Sequence, residues 1–265
     1  MSIDTRRLAR RATQVGKPLA LFTVLVAIWQ VVVDKGLVPT VALASPSEVL
    51  DYIVTQRAQL WTNSQATIKE IVLAFAIAFV VGVVLAILIK EFQILHDALL
   101  PLLVVTQLVP SVAIAPLLVL ILGFGDAPKI ATAAVIAFFP ILINTVAGLD
   151  NVEKEAIDLT RSLRASRIQT LRYLELPSAI PYMFAGTRIG ITLSVIGAVV
   201  GEFVTADKGL GYLILQGSST LDPTLVFASL VVLAGIGLLL FGAVRVVEYF
   251  VVPWNRAPAQ RGGRS

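Results

Sequence analysis

Residues 151–181 read NVEKEAIDLTRSLRASRIQTLRYLELPSAIP, the longest polar stretch in an otherwise very apolar chain. Four apolar residues at its start are spaced four, three and four positions apart: Val152, Ala156, Leu159 and Leu163. This spacing places them on one face of a helix. The charged residues lie off this stripe. The pattern therefore predicts an amphipathic helix outside the bilayer, with one apolar face available for contact.

A second helical pattern follows in the same stretch, at Ile168, Leu171 and Leu174. Pro177 and Pro181 are predicted to end or kink it, because proline lacks the N–H that a helix interior uses. We expect a helix–turn–helix that serves as a docking element for a partner. The alternatives are a solvated amphipathic loop and a helix lying on the membrane surface.

Composition identifies an integral membrane protein. Of 265 residues, 57% are hydrophobic and only 14% are charged, whereas soluble domains carry about 25% charged residues. The chain has no cysteine and a single histidine, His96, which we interpret as interfacial. These counts exclude a disulfide framework and a multi-histidine metal site. The net charge of +4 is better explained by membrane topology than by nucleic-acid binding.

Six membrane spans are predicted in one all-α domain, residues 18–252, between a basic tail at 1–17 and a second tail at 253–265. The spans cover about 18–33, 68–89, 98–122, 130–149, 179–204 and 225–250. Pro101, Pro110 and Pro116 interrupt the third span. The first apolar run also resembles a signal peptide, but we favour an uncleaved helix. After it we expect a short interfacial helix with Ser47 near its start.

The orientation follows from the distribution of Lys and Arg. One side collects 14 of the 21 Lys and Arg residues, and the other collects five. The positive-inside rule then places both termini and the polar loop, residues 150–177, in the cytoplasm. The predicted docking face therefore points to a cytoplasmic partner.

Charged residues inside the spans are functional candidates, because ionised groups are costly in a bilayer. Arg188 either snorkels or has a role, and Glu202 either lines a gate or faces water. Arg245 and Glu248 are three residues apart and are interpreted as an ion pair. The chain contains no phosphate-binding loop and no catalytic arrangement. We therefore expect a protein that is not an enzyme and has no cofactor.

Uncharged polar residues on the third to fifth spans are candidates for a translocation path. The candidates are Gln107, Ser111, Asn144, Thr145 and Ser194, with Glu202 added as the one charged member. Prolines in the third span free backbone carbonyls, which is tolerable where a bundle lines a cavity. The competing interpretation is that these side chains hold helices together by hydrogen bonds.

The chain resembles the membrane subunit of binding-protein-dependent ABC importers of the type I fold, in the branch of nitrate, sulfonate, taurine and bicarbonate systems. The family's cytoplasmic signature matches Asp158-Leu159-Thr160, Arg164 and 174–177, LELP, at the expected spacing. Further similar stretches are VPSVAIAPLLVLILGFGDAPKI at 109–130, FFPILINTVAGL at 138–149 and GEFVTADKGLGYLI at 201–214. The resemblance covers about 40–252.

Arg164 stands where the family has glycine, the residue that most easily forms a bend. Either the first helix runs on past this position or Arg164 makes a contact of its own with the ATPase.

The resemblance implies a permease subunit in the bacterial inner membrane. It implies a homodimer of such subunits, with separate ATPase subunits on the cytoplasmic side and an extracytoplasmic binding protein that delivers a small solute. The ATPase-coupling residues it implies are Asp158, Leu159, Thr160, Leu163, Arg164, Leu176 and Pro177. The solute is of the sulfonate, taurine, nitrate or bicarbonate class, or alternatively a pyrimidine or flavin vitamin precursor. Rival classes are an ATP-independent secondary transporter and a membrane scaffold.

Overall fold

The computed structural model describes residues 3–39, 42–106, 110–205 and 207–253, and every regular element within these ranges is helical. The helices are α1 (Ile3–Asp34), α2 (Pro46–Thr55), α3 (Arg57–Glu91), α4 (Gln93–Thr106), α5 (Ile114–Leu122), α6 (Asp126–Asp150), α7 (Lys154–Ser162), α8 (Arg167–Thr170), α9 (Leu176–Thr205), α10 (Leu210–Ser219) and α11 (Pro223–Val251). A 3₁₀ turn, Ser111–Ala113, precedes α5, and a π-helical segment, Leu171–Glu175, joins α8 to α9.

Five helices in the described ranges are long and apolar enough to cross a membrane. They correspond to the first, second, fourth, fifth and sixth predicted spans. The third predicted span is not one helix, because it divides into α4 with 14 residues and α5 with nine. At 1.5 Å per residue these reach about 21 and 14 Å, less than the ~30 Å hydrocarbon core. Pro110, which has no N–H to donate, lies between them.

The short helix α2 begins at Pro46, so Ser47 lies near its start as predicted. Its N-cap is Ser45, whose hydroxyl accepts from the Glu48 N–H at 3.2 Å. In return the Glu48 carboxylate accepts from the Ser45 N–H at 2.8 Å, which completes a capping box. The Ser45 backbone and side-chain hydrogen bonds lower the pKa of Glu48. The cap stabilises the charged carboxylate, and the carboxylate stabilises the helix start.

The chain divides into two compact units, Met1–Trp61 with Leu213–Val232, and Thr62–Tyr212 with Leu233–Ser265. In the first unit the Trp29 ring lies 5.4 Å from the Phe227 ring and its N–H donates to the Ala44 carbonyl at 3.0 Å. Ala44, Val49 and Ala228 form a small buried cluster there. These contacts join α1, α2 and the start of α11.

The second unit is built on close packing of α6 against α9. Four glycines of α9 lie against α6: Gly186, Gly190, Gly197 and Gly201. A Cβ at Gly197 would lie 2.5 Å from the Ala133 Cα, so only glycine allows the two backbones this approach. Helix α3 packs against α6 through buried Ala78, Ala86 and Ile89. Because α6 ends and α9 begins beside residues 151–175, this pair positions the polar segment.

Candidate functional site

The predicted docking helix is present as α7, and its apolar stripe divides into two parts. Val152 is buried and Ala156 is half-buried, so the start of the stripe faces the protein. Leu159 and Leu163 are 60% and 73% exposed. Outside the membrane spans, a cluster of large apolar side chains on the surface marks an interaction site. The far end of α7 thus presents an apolar surface that none of the described residues covers.

Arg164 forms the bend at which α7 ends. Its φ of 55° is in the left-handed region, where glycine is usual. The Arg164 N–H donates to the Arg161 carbonyl at 2.9 Å, and the Ala165 N–H donates to the Thr160 carbonyl at 3.0 Å. These two bonds constitute a Schellman motif. The alternative that the first helix runs on is therefore wrong: the bend is kept with arginine in place of glycine.

The second half of the segment does not end at its prolines. A capping box between Ser166 and Gln169 starts α8, and the π-helical segment then leads directly into α9. Pro177 is the second residue of α9 and Pro181 lies inside it. The wider π turn just before Pro177 accommodates a residue that cannot donate to the preceding turn. The helix–turn–helix is confirmed. At the position of the predicted end or kink the structure instead has a π-helical segment, and the helix continues as α9.

The two halves of the segment contact each other and leave an open pocket between them. The Thr170 hydroxyl donates to the Thr160 hydroxyl at 3.2 Å. The pocket is lined by Thr160, Leu163, Arg164, Ala165, Gln169, Thr170, Tyr173 and Leu174. Asp158 is exposed and pairs with Arg161 at 3.4 Å. Leu176 and Pro177 are half-buried at the start of α9. The predicted coupling residues therefore differ in exposure. Asp158, Leu159, Leu163 and Arg164 are exposed, whereas Thr160, Leu176 and Pro177 are half-buried.

Ion pairs fix this segment at both flanks. Lys90 pairs with Asp150 at 2.8 Å before the segment. Arg167 pairs with Glu91 at 3.1 Å and with the buried Glu175 at 2.7 Å after the bend. The pairs Lys90–Asp150 and Arg167–Glu91 are not predictable from the sequence, because residues 60 and 76 positions apart become neighbours only through the packing of α3. Residues 151–166, which we call the coupling segment after their predicted role, are therefore held at both flanks by ion pairs.

The candidate path residues lie in different environments. Thr145 and Ser194 are fully buried and donate to the carbonyls four residues earlier in their own helices, those of Ile141 and Gly190. Asn144 is half-exposed and donates to Pro140 in the same way. Gln107 lies outside the described residues, and Ser111 begins the 3₁₀ turn before α5. Their role in a path stays a prediction.

Glu202 is fully enclosed by the chain, so the alternative that it faces water is wrong. Its carboxylate accepts from the buried Thr67 hydroxyl at 2.6 Å and from the Gly211 N–H. The Thr67 hydroxyl in turn accepts from the Leu210 N–H at 2.9 Å. Glu202 thus supports the turn between α9 and α10, and its role at a gate stays a prediction.

A buried ion pair that sequence analysis did not predict lies near Glu202. Lys129 Nζ lies 2.7 Å from Glu70 Oε1, and the two side chains are 0% and 1% exposed. Neither residue is among the candidates that the sequence singles out. The signal available was that each lies within one or two turns of an apolar run, where a charge requires a partner. Removing one partner of such a pair would leave a buried, uncompensated charge.

The predicted ion pair at the end of α11 has a different partner. Glu248 lies 3.3 Å from Arg188 of α9, whereas Arg245 is exposed. A contact between helices therefore replaces the expected i,i+3 pair. Arg188, whose side chain is 37% exposed, therefore has a carboxylate of α11 as its partner.

Residues 78–252 match the family described as the binding-protein-dependent transport system inner membrane component. The match covers well over half of the chain, and the chain belongs to this family. It is a permease subunit of the ABC importer class, an inner-membrane component and not the ATPase. The predicted family and fold class are confirmed.

Named relatives match over almost their full lengths. The riboflavin transport system permease protein RibX of Chloroflexus aurantiacus is 37% identical, over 91% of this chain and 90% of its own. The formylaminopyrimidine transport permease protein ThiX of Halalkalibacterium halodurans is 32% identical over 93% and 99%. The taurine transport system permease protein TauC of Escherichia coli is 29% identical over 96% of each chain. The fold is similar to the MetNI methionine ABC transporter in inward-facing conformation, with a TM-score of 0.61 at 20% identity, over 76% and 98% of the two chains.

Proposed function

We propose that this chain forms the translocation path of an ATP-driven importer and that α7 docks on a cytoplasmic ATPase subunit. The observation that carries the proposal is the exposed pair Leu159 and Leu163 on a segment fixed by ion pairs at both flanks. A fixed apolar surface transmits movement of a partner to the helices behind it, and a mobile loop does not. The nucleotide state then biases two arrangements of the bundle through that contact.

The predicted coupling residues have separate roles in this proposal. Leu159 and Leu163 enter a groove of the ATPase, and Asp158 makes a polar contact beside them. Arg164 holds the bend. Thr160 joins the two halves of the segment through Thr170. Leu176 and Pro177 connect the segment to α9.

Co-purification from gently solubilised membranes tests the docking surface. A tagged wild-type chain should recover an ATPase subunit, identified by mass, and a Leu159→Asp/Leu163→Asp variant should not. A Leu159→Met/Leu163→Met variant is the matched control, because it keeps an apolar surface of similar volume. Recovery of an ATPase with the Asp variant would refute the docking surface, and its absence from the wild type would refute the importer.

The path lies between two copies of the chain in this proposal, and Gln107, Ser111 and Asn144 stay the candidates for its lining. Thr145 and Ser194 bond within their own helices and are buried. We assign these two to the packing that holds the path walls. An extracytoplasmic binding protein delivers the solute at the end of the bundle opposite α7. Cross-linking of Asn144→Cys between copies would support the homodimer, since the chain has no other cysteine.

The relatives favour a heterocyclic vitamin or vitamin precursor as the solute over a sulfonate. Identity is higher to the riboflavin and formylaminopyrimidine permeases, 37% and 32%, than to the taurine permease, 29%. Lys129 and Arg188, two cations inside spans, are each paired with a carboxylate, which favours a neutral solute. The test is calorimetric titration of the co-purified binding protein with riboflavin, formylaminopyrimidine and taurine. Tight binding of taurine alone would reverse the assignment.

We also propose that both termini and residues 150–177 are cytoplasmic, because one side collects 14 Lys and Arg residues against five. Alkaline phosphatase, which is active only outside the cytoplasm, should be inactive when fused after Ser265. An active fusion would invert the topology.

A further inference from the structure

Helix α3 ends in two residues that attach to both flanks of the coupling segment. Lys90 Nζ lies 2.8 Å from Asp150 Oδ1, and Asp150 directly precedes the segment. The next residue, Glu91, accepts a hydrogen bond from Arg167 Nε at 3.1 Å, and its second oxygen lies 3.1 Å from Arg167 Nη2 as an ion pair. Two contacts between one guanidinium and one carboxylate restrict direction as well as distance. Residues 151–166 are thus fastened at both sides to the last turn of α3.

The other part of α3 holds the turn between α9 and α10. Asn63 Oδ1 accepts from the Gly209 N–H at 2.8 Å, and Thr67 Oγ1 accepts from the Leu210 N–H at 2.9 Å. Thr67 also donates to Glu202, and both side chains are fully buried. Gly209 has a φ of 119°, which a residue with a side chain rarely adopts. The shape of this turn therefore depends on bonds to two side chains of one helix.

The two attachments belong to one uninterrupted helix. Thr67 and Glu91 are 24 positions apart in α3, a separation of about 36 Å at 1.5 Å per residue. No proline occurs within α3, and buried Ala74, Ala78 and Ala86 line one side of it. A helix without a hinge moves as a rigid element when one end is displaced.

We infer that α3 is a strut that connects the coupling segment at Lys90–Glu91 with the turn at 207–211 through Asn63 and Thr67. The inference rests on the proposed function, since the displacement that the strut transmits comes from the ATPase. In the reverse direction, a binding protein seated near the turn alters the coupling segment through the same helix. Glu91 and Thr67 are positioning residues at the two ends.

A spectroscopic probe at the turn tests the strut without knowledge of the solute. The chain has no cysteine, so a nitroxide on Asp207→Cys, an exposed position, reports on the turn alone. The complex that co-purifies with the ATPase is measured before and after addition of ATP and vanadate. Background from thiols of the ATPase is subtracted with the complex of the cysteine-free chain. We expect a spectral change that falls about fivefold or more in Glu91→Gln and in Thr67→Val.

Two controls separate transmission from folding. Thr67→Ser keeps the hydroxyl, and Arg57→Gln changes an exposed charge at the start of the same helix. Both should respond as the unsubstituted chain does, and all variants should recover the ATPase. If Thr67→Val fails to assemble, Glu91→Gln decides, since it keeps the shape of a partly exposed side chain.

The outcomes distinguish the two proposals. A full spectral change in the assembled Glu91→Gln and Thr67→Val complexes overturns the strut alone. An absent change in the unsubstituted complex also overturns it. Failure to recover any ATPase with the unsubstituted chain overturns the importer together with the strut that depends on it.

Discussion

Replacing Arg164 with glycine should strengthen the bend of the coupling segment. Arg164 has a φ of 55°, and a residue with a side chain in this region costs about 1–2 kcal/mol relative to the right-handed region. Glycine removes that cost but loses about 0.5–1 kcal/mol more conformational entropy on folding. The difference is a net stabilisation of about 0.5–1 kcal/mol, which corresponds to a factor of roughly two to five in a local opening equilibrium.

Hydrogen exchange of peptides covering residues 159–166, in nanodiscs, measures this opening. The two Schellman bonds, from the N–H groups of Arg164 and Ala165, protect the amides concerned. Arg164→Gly should slow their exchange roughly twofold to fivefold by the energies above.

Ala165→Gly is the matched control for this exchange experiment. Ala165 is not among the described residues with positive φ, so glycine there adds only entropy and should accelerate exchange. If Arg164→Gly accelerates exchange as Ala165→Gly does, the argument from the left-handed conformation is refuted.

Three further expectations concern other parts of the molecule. Gly197→Ala should lower the thermal stability of the solubilised chain by about 1–3 kcal/mol because its Cβ would meet α6 at 2.5 Å, whereas Gly242→Ala, with open space around it, should be neutral or stabilising. Ser45→Ala should weaken the start of α2 by about 1 kcal/mol. Because the pKa of Glu48 is lowered, the stability from this cap is present above pH 4.5 and is lost as the pH falls below it; the variant keeps the Ser45 N–H that also bonds to Glu48, so its hydrogen exchange should depend on pH more weakly. Asp158→Lys should abolish ATP-dependent uptake into vesicles while insertion persists, and uptake at the unsubstituted level would refute the role of the coupling segment.

The parts of this fold that were predictable from the sequence are those set by local pattern. Spacing of apolar residues located α7, and continuous apolar runs located five spans. Pro110 was visible in the third span, yet its effect was underestimated: the interruption produced two helices too short to span. The effect of Pro177 was overestimated, because the π turn before it accommodates a residue without an N–H donor and the helix continues past it.

The parts that were not predictable depend on contacts between distant residues. Glu70 and Lys129 are 59 positions apart, and Arg188 and Glu248 are 60 apart. Sequence distance offers no means to choose among possible partners, so Glu248 was paired with its near neighbour Arg245. The stripe of α7 was correct in periodicity, but periodicity does not reveal which part of a face the protein itself covers.

Because α3 is longer than the hydrocarbon core of a bilayer is thick, the surrounding lipid affects its tilt. Its 35 residues extend about 52 Å, whereas the hydrocarbon of a typical bilayer is about 30 Å thick. The apolar run 71–89 reaches about 28 Å, close to that thickness, and we expect the polar turns before it, with exposed Trp61, in the interfacial region. A bilayer of longer or shorter acyl chains changes the tilt of such a helix to relieve hydrophobic mismatch. Membrane thickness therefore acts on the same helix that holds the coupling segment at its last turn.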